Sequence, residues 1–280
     1  MKKILIPTDF SDNAWDALIY AIRLYDDIPC RFFVLNTYEV MATGVNTTIH
    51  SSATKKLYEI LREDSQKGLE KIEKYLNDHL LNDKHEYEII SKYGSLTSVV
   101  KDLINKENID LIIMGTTGAS GIKKVFMGSN AMRLIKNISD CPIIAVPKDY
   151  EFEEPELISF ATDLNKLFTA EDLNPLYELL LIHDLNLEIL HVHDEAKLSD
   201  IQKENIELIK HRLDSHNVSY KGIDLISTVS KSINEYTKTN KVDLICFANY
   251  EHTFIEKLTH EPIIKKVGFQ TQVPLLIIPI

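Results

Sequence analysis

The stretch that decides the fold is Gly115-Thr-Thr-Gly118-Ala-Ser-Gly121-Ile-Lys-Lys-Val-Phe-Met-Gly128, followed at once by Ser129 and Asn130. It contains four of the nine glycines of the chain. An apolar run typical of a β-strand, Ile109–Met114, precedes it, and a stretch typical of a helix, Ala131–Asn137, follows it. Glycine allows positive φ and close approach to a ligand, and the free N–H groups at a helix start favour an anion. The pattern therefore predicts a loop that binds a nucleotide.

The spacing of these glycines is more specific than their number. Gly115-x2-Gly118-x9-Gly128-Ser129 resembles, position for position, the nucleotide-binding pattern of the universal stress protein family, and Ile109–Pro147 is similar to that family's C-terminal third. Two other nucleotide motifs, G-x-G-x-x-G and G-x-x-x-x-G-K-[ST], are absent from the sequence. The resemblance implies a Rossmann-like fold of the nucleotide alpha-hydrolase type.

Composition narrows the class of protein. The 280 residues, 44% hydrophobic and 26% charged, are those of a globular protein with one or two domains. A net charge of −11 argues against nucleic acid or an anionic membrane as the main partner. No apolar run approaches the length of a membrane span, and the first residues are typical of a strand rather than a signal peptide. We therefore expect a cytoplasmic protein. Cys30, Cys141 and Cys246 lie far apart in apolar segments, which favours buried free thiols over a redox role.

Strand-like and helix-like segments alternate through the first half of the chain. Helices are predicted from a cap at Ser11, over Leu57–Leu80, and over about Leu96–Lys106. The predicted strands are Lys3–Pro7, Arg31–Leu35, Tyr87–Ile90, Ile109–Met114 and Pro142–Val146. This order predicts an α/β domain with a doubly wound, five-stranded parallel sheet and helices on both faces.

The second half of the chain repeats the first. The matching pairs are Ile6–Ser11 with Phe160–Asn165, Phe33–Tyr38 with Ile189–His193, Ile109–Ile113 with Val242–Cys246, and Cys141–Pro147 with Val273–Pro279. We therefore predict two tandem domains, 1–148 and 156–280, and the family resemblance covers both. The acidic linker Lys148–Pro155 lacks a Gly/Ser tract, so we expect the domains to pack closely.

The first copy carries an insertion around Val40–Leu57. Its residues are polar, β-branched and poor in helix formers, which is typical of a surface loop. The connection also leaves the carboxyl end of the sheet, where such folds bind ligands, so a flap that covers the site or binds a partner is equally compatible.

The family resemblance implies a set of residues that bind ATP, with or without Mg²⁺. Asp9 would contact the ribose or the metal, Pro7 and Thr37 would flank the adenine, and Gly128, Ser129 and Asn130 would offer N–H groups to the phosphates. The complete set is Pro7, Thr8, Asp9, Thr37, Met114, Gly115, Thr117, Gly118, Gly128, Ser129 and Asn130.

Three of these positions carry a second interpretation. Asp9 could be a residue that only stabilises a helix start, because Asp163 occupies the matching position in the second copy, which lacks the glycines. Ser129 could be an N-cap. Thr117 stands where ATP-binding relatives often carry Arg or His, although Lys123 and Lys124 lie on the same loop.

The second copy lacks the nucleotide pattern. Ala248 stands near the position of Gly115, Glu251 near that of Gly118, and His260-Glu261 near that of Gly128-Ser129. Carboxylates repel phosphates, and side chains at the glycine positions block close approach, so we predict no ATP in the second domain. His191 and His193 alternate on a strand beside Asp194 and Glu195, a pattern that fits a metal site less well than a structural role.

Three functions follow from these observations. The resemblance implies an ATP-binding stress-response or signalling protein whose nucleotide alters partner binding or assembly. A nucleotide-independent scaffold and a weak ATPase are the alternatives, since no committed catalytic set is present. The short apolar fifth strands, Pro142–Val146 and Pro274–Ile278, are unsuited to water. They predict an intrachain pseudo-dimer and allow a homodimer.

Overall fold

The computed structural model of the chain describes residues 1–40, 52–117, 127–193, 198–213, 217–249, 263–268 and 271–280. The first half of the chain contains β1 (Lys2–Pro7), α1 (Asp12–Leu24), β2 (Cys30–Tyr38), α2 (Ser52–His79), β3 (His85–Tyr93), α3 (Leu96–Glu107), β4 (Leu111–Gly115), α4 (Ser129–Asn137) and β5 (Ile143–Val146). The second half contains β6 (Leu157–Ala161), α5 (Ala170–His183), β7 (Asn186–His193), α6 (Asp200–Arg212), β8 (Val218–Asp224), α7 (Val229–Thr239), β9 (Leu244–Asn249), α8 (Ile263–Gly268) and β10 (Leu275–Pro279).

The strands form one ten-stranded sheet in the order β3-β2-β1-β4-β5-β10-β9-β6-β7-β8. All neighbours are parallel except β5 and β10, which pair antiparallel at the centre. Each half therefore has the strand order of a doubly wound sheet, and the predicted fold class is confirmed. The prediction that the fifth strands pair within one chain is also confirmed, since Ile144 lies opposite Leu276.

Both faces of the sheet are covered. Ile4 and Ile6 of β1 point into a core formed with α1, α2, α5 and α6, whereas Leu5 points into a core formed with α3, α4, α7 and α8. Strands buried on both faces read as continuous apolar runs, which is why the sequence identifies them. All three cysteines are free and buried. Burial raises the pKa of Cys30 to about 11 and that of Cys141 to about 12, so these thiols stay protonated.

The two halves are joined closely. In the linker, Asp149 donates its backbone N–H to the Asp16 carboxylate, and the ring of Tyr150 packs edge-on against Tyr20. Across the halves, the Lys2 ammonium forms an ion pair with Glu178. These contacts agree with the expected close packing. Within the described ranges, no helix is both long enough and apolar enough to cross a membrane.

Two sequence predictions need correction. Residues 52–56, assigned to a loop insertion, form the start of α2, and residues 41–51 lie outside the described residues. Much of the extra length is therefore helix, because α2 has 28 residues and its counterpart α6 has 13. The repeat register between β2 and β7 was wrong by one residue. Since Leu35 pairs with Pro7 and Leu190 with Ala161, the counterpart of Phe33 is Glu188 rather than Ile189.

Candidate functional site

A cavity of about 290 Å³ lies at the carboxyl ends of β1 and β4. Its lining comprises Pro7, Thr8, Asp9, Ala14, Asn36, Thr37, Leu96, Met114, Gly115, Thr116, Thr117, Gly128, Ser129, Asn130 and Ala131. Every residue of the set implied by the family resemblance is present except Gly118, which lies outside the described residues. Five lining residues are absent from the predicted set: Ala14, Asn36, Leu96, Thr116 and Ala131. Asn36 and Thr116 are the polar residues among them, and they lie at the ends of β2 and β4, the two strands beside β1.

The position of this cavity follows from the strand order. β1 has β2 on one side and β4 on the other, so the chain winds away from β1 in opposite directions. The connections after β1 and β4 therefore leave the sheet towards opposite faces and open a crevice at the carboxyl edge. Open α/β sheets bind their ligands at such switch points.

The turn after β1 and the turn after β6 share two hydrogen bonds. Phe10 N–H donates to Thr8 Oγ1 at 3.0 Å, and Ser11 N–H donates to Asp9 Oδ1 at 3.1 Å. The equivalent donors, Leu164 and Asn165, bond Thr162 Oγ1 and Asp163 Oδ1, both at 3.1 Å. Phe10 and Leu164 share a positive φ, 64° and 61°. Asp9 therefore has a structural role in the turn, through a hydrogen bond, and Asp9 is also one of the residues that line the cavity.

Hydrogen bonds hold the first two residues after β4, Thr116 and Thr117, in place. Thr116 donates its N–H to the Val146 carbonyl at 2.9 Å, and the Thr116 carbonyl accepts the N–H of Gly128. Thr117 donates both its N–H and its hydroxyl to Asn13 Oδ1, at 2.7 and 3.0 Å. The polar groups of Thr117 thus face α1, and the N–H of Gly128, which we expected to face a phosphate, is already bonded within the protein.

The N-terminus of α4 borders the cavity. Gly128 is the N-cap and Ser129 the first helical residue, so the interpretation of Ser129 as an N-cap is wrong. The N-cap makes no side-chain hydrogen bond. Helix geometry leaves the N–H groups of Ser129, Asn130 and Ala131 without an intrahelical acceptor, and the helix dipole places positive potential there. This end of the cavity therefore suits an anion.

The electrostatics of the described lining are simple. It contains one carboxylate, that of Asp9, and, within the stretches of chain that the structure covers, no Lys, Arg or His. Lys123 and Lys124, named in the sequence analysis, fall outside those stretches. The attraction for an anion in the described part of the site therefore comes from the backbone of α4.

The second repeat has different residues at the matching positions. The β6–β9 register places Ala248 at the position of Gly115, as the sequence alignment predicted. Glu251, His260 and Glu261 lie outside the described residues. His191 Nδ1 contacts the Thr162 carbonyl at 2.9 Å, and the described residues contain no cluster of three possible metal ligands. Asp194 and Glu195, the other members of the proposed metal set, are also outside the description.

The parallel sheet, the switch-point cavity and the helix N-terminus at its edge define a Rossmann-like α/β protein. The chain belongs to the universal stress protein family, because the sequence model of that family, described as "Universal stress protein family", matches residues 1–147.

Individual relatives agree with this assignment. The chain is 31% identical over 150 residues to universal stress protein MJ0531 of Methanocaldococcus jannaschii, covering 52% of this chain and 82% of that protein. It is 25% identical over 160 residues to universal stress protein MJ0577 of the same organism, covering 52% and 95%. The crystal structure of a universal stress protein from Archaeoglobus fulgidus covers 99% of this chain and 95% of its own, with a TM-score of 0.69 and 17% identity. That likeness shows that the fold of the whole chain, both repeats included, is one found in the family.

Proposed function

We propose that the first repeat binds ATP, with or without Mg²⁺, and that the bound nucleotide alters partner binding or assembly in a stress response. The observation that carries this proposal is the coincidence of three features in one cavity: the switch point between β1 and β4, the N-terminus of α4 without a side-chain cap, and the two described ends, Gly115 and Gly128, of the glycine pattern that family resemblance connects with nucleotides. The family membership of residues 1–147 supports it further.

The lining suggests how an adenine nucleotide would lie. Pro7, Leu96 and Met114 give an apolar wall that suits the base, beside Thr37. The N–H groups of Ser129, Asn130 and Ala131 suit the phosphates. Thr117 would contribute through its backbone carbonyl and its methyl group, because its N–H and its hydroxyl are both bonded to Asn13.

Asp9 would face the ribose or a metal ion. Mg²⁺ is usually held by one or two carboxylates together with substrate phosphates, so a single aspartate at this edge fits the ion. Mg²⁺ would also offset the repulsion between the Asp9 carboxylate and a triphosphate. Binding is favoured over hydrolysis because Asp9, the one carboxylate of the described lining, would be engaged by the ribose or the metal ion, and no second carboxylate or His of that lining is left to act as a general base.

We also propose a division of labour between residues 1–148 and 156–280, with the second unit free of ATP. Ala248 supports this, since it places a side chain where the first repeat has Gly115. One observation supports the alternative of a nucleotide-independent scaffold: the described lining has no cationic side chain that could bind phosphate. The predicted cytoplasmic location stays a prediction.

The experiment is a calorimetric titration of the full chain with ATP and Mg²⁺, and separately with adenosine, for the wild type and Ser129→Glu. Ser129 is exposed at the first position of α4, where a carboxylate stabilises a helix but repels phosphates. The variant should therefore fold normally, retain adenosine and lose ATP by about a hundredfold.

The matched control is Ser219→Glu, which adds the same charge on the exposed edge strand β8 of the second repeat. It should bind ATP like the wild type. One ATP per wild-type chain is the expected stoichiometry. Absence of binding to the wild type would favour the scaffold, and equal ATP loss in both variants would show an effect of net charge alone.

A further inference from the structure

Asn13, the second residue of α1, is a buried polar side chain with 2% of its surface exposed. A buried amide carries donors and an acceptor that both need partners. Its Oδ1 accepts the N–H and the hydroxyl of Thr117, and its Nδ2 donates to the Val146 carbonyl at 3.1 Å. One side chain of α1 therefore bridges the segment after β4 and the end of β5.

The position of this segment determines where α4 begins. The Thr116 carbonyl accepts the N–H of Gly128, and Gly128 is the N-cap of α4. Asn13 fixes the neighbouring residue, Thr117, through two bonds. A shift of Thr117 would thus be transmitted to Gly128 and to the N–H groups that follow it.

Asn13 packs directly against Gly115, where the absence of a side chain provides room for it. A Cβ at Gly115 would stand 2.7 Å from Oδ1 of Asn13 and 2.8 Å from its backbone carbonyl oxygen. Contacts this short force a shift, and the carbonyl oxygen cannot rotate away as a side chain can. Gly115 and Asn13 therefore act as a pair, and the first glycine of the pattern serves packing against α1.

We infer that Asn13 is a positioning residue of the nucleotide site, acting through Thr117 and Gly128 on the start of α4. The inference rests on the proposed function. Asn13 is not among the residues that line the described cavity, so it acts on the site only through Thr117 and Gly128, which do line it. Its specific requirement is a side chain of this length with an acceptor and a donor. Alanine offers neither, and the short serine hydroxyl cannot reach both partners.

The test compares Asn13→Ala with Asn205→Ala in the full chain. Asn205 is a matched control, since it lies on α6 of the second repeat, is 1% exposed and donates Nδ2 to the Leu164 carbonyl at 2.7 Å. Both variants should lower the urea midpoint of unfolding. At a temperature where both are folded, Asn13→Ala should weaken ATP binding at least about tenfold, and Asn205→Ala less than about twofold. Equal ATP affinities in the two variants would overturn the inference.

A second readout needs no nucleotide. Amide hydrogen exchange of the free protein should show lost protection at Thr117 and Gly128 in Asn13→Ala, with the amides of β2 and β3 unchanged. Asn13→Ser serves the same purpose if the alanine variant does not fold. A uniform loss of protection would overturn the positioning role. If the wild type binds no nucleotide, the proposed function fails, whereas a selective loss at Thr117 and Gly128 still supports the role of Asn13 in holding this segment.

Discussion

The side-chain amide of Asn36 donates to the backbone carbonyl of Thr8 at 2.7 Å, joining the end of β2 to the turn that carries Asp9. In the second repeat, His191 Nδ1 contacts the Thr162 carbonyl at 2.9 Å. Both residues follow the strand position that pairs with the last residue of β1 or β6. Two unlike side chains therefore supply the same bond, because each carries an N–H at the same reach.

This equivalence predicts which substitutions the turn tolerates. Asn36→Leu should lower the free energy of unfolding by about 1–3 kcal/mol, because it leaves the Thr8 carbonyl without its side-chain donor. His191→Asn should cost less than about 1 kcal/mol, because asparagine makes the matching bond in the first repeat. Urea unfolding of both variants measures the difference. Equal losses would contradict the equivalence of the two bonds.

The histidine in the second repeat makes stability depend on pH. Burial lowers the pKa of His191 below its usual value, against the smaller opposing effect of the Thr162 hydrogen bond. Protonation thus favours the unfolded state, so the contribution of neutral His191 is complete above about pH 6.5 and is lost as the pH falls through the lower folded pKa. His191→Asn should flatten the fall in unfolding free energy below about pH 6.5. Unfolding curves at a series of pH values check this, and an unchanged slope would contradict it.

The parallel strands and most residues of the cavity could be predicted from the sequence. Continuous apolar runs identified the parallel strands, and the glycine spacing led to residues that the fold brings to one cavity. The polar residues at the end of β2, such as Asn36 and Thr37, were left out of the strand. These two residues belong to β2 because they pair with β3, although neither of them is hydrophobic.

Asn13 shows why part of the site could not be predicted. A polar residue in the first turn of a helix is normally solvated, and only the tertiary fold buries it beside Gly115. The start of α2 was missed for a related reason, since Ser52-Ala-Thr-Lys-Lys56 lacks an apolar period. The register error between β2 and β7 arose because Glu188, a buried carboxylate bonded to Ser159 and Tyr236, has an apolar counterpart in Phe33.

Gly68, in the interior of α2, lies against the ring of Phe10. A Cβ at Gly68 would overlap with the Cζ, Cε1 and Cε2 atoms of the ring. Gly68→Ala should therefore gain little in the wild type, because improved helix propensity is offset by displacement of the ring. In a Phe10→Ala background, the same change should stabilise the protein by about 0.5–1 kcal/mol. A double-mutant cycle by urea unfolding measures this coupling. Identical effects in both backgrounds would show that the ring does not restrain residue 68.

Replacing Gly115 by alanine should destabilise the protein more than replacing its counterpart Ala248 by glycine. Gly115→Ala should cost about 1–3 kcal/mol, since the new Cβ meets the side chain and the carbonyl of Asn13. Ala248→Gly removes a Cβ that the second repeat accommodates, and should cost about 0.5–1 kcal/mol. Thermal unfolding of the two single variants provides the comparison. A loss in Gly115→Ala no larger than that in Ala248→Gly would argue against the packing role of Gly115.

The seam between β5 and β10 predicts the behaviour of the first repeat alone. β5 is buried along its whole length, and without β10 it would expose an apolar edge with unpaired backbone groups. Residues 1–148 expressed alone should therefore dimerise through β5. The carbonyls of Pro142 and Val146 face β4, so the backbone groups of Ala145 face β10. Ala145→Pro should then give a monomer by removing an N–H from that edge, whereas Ala145→Gly keeps the N–H and should stay dimeric. Light scattering over a concentration series distinguishes these states, and a monomeric unmodified fragment at every concentration would refute the prediction.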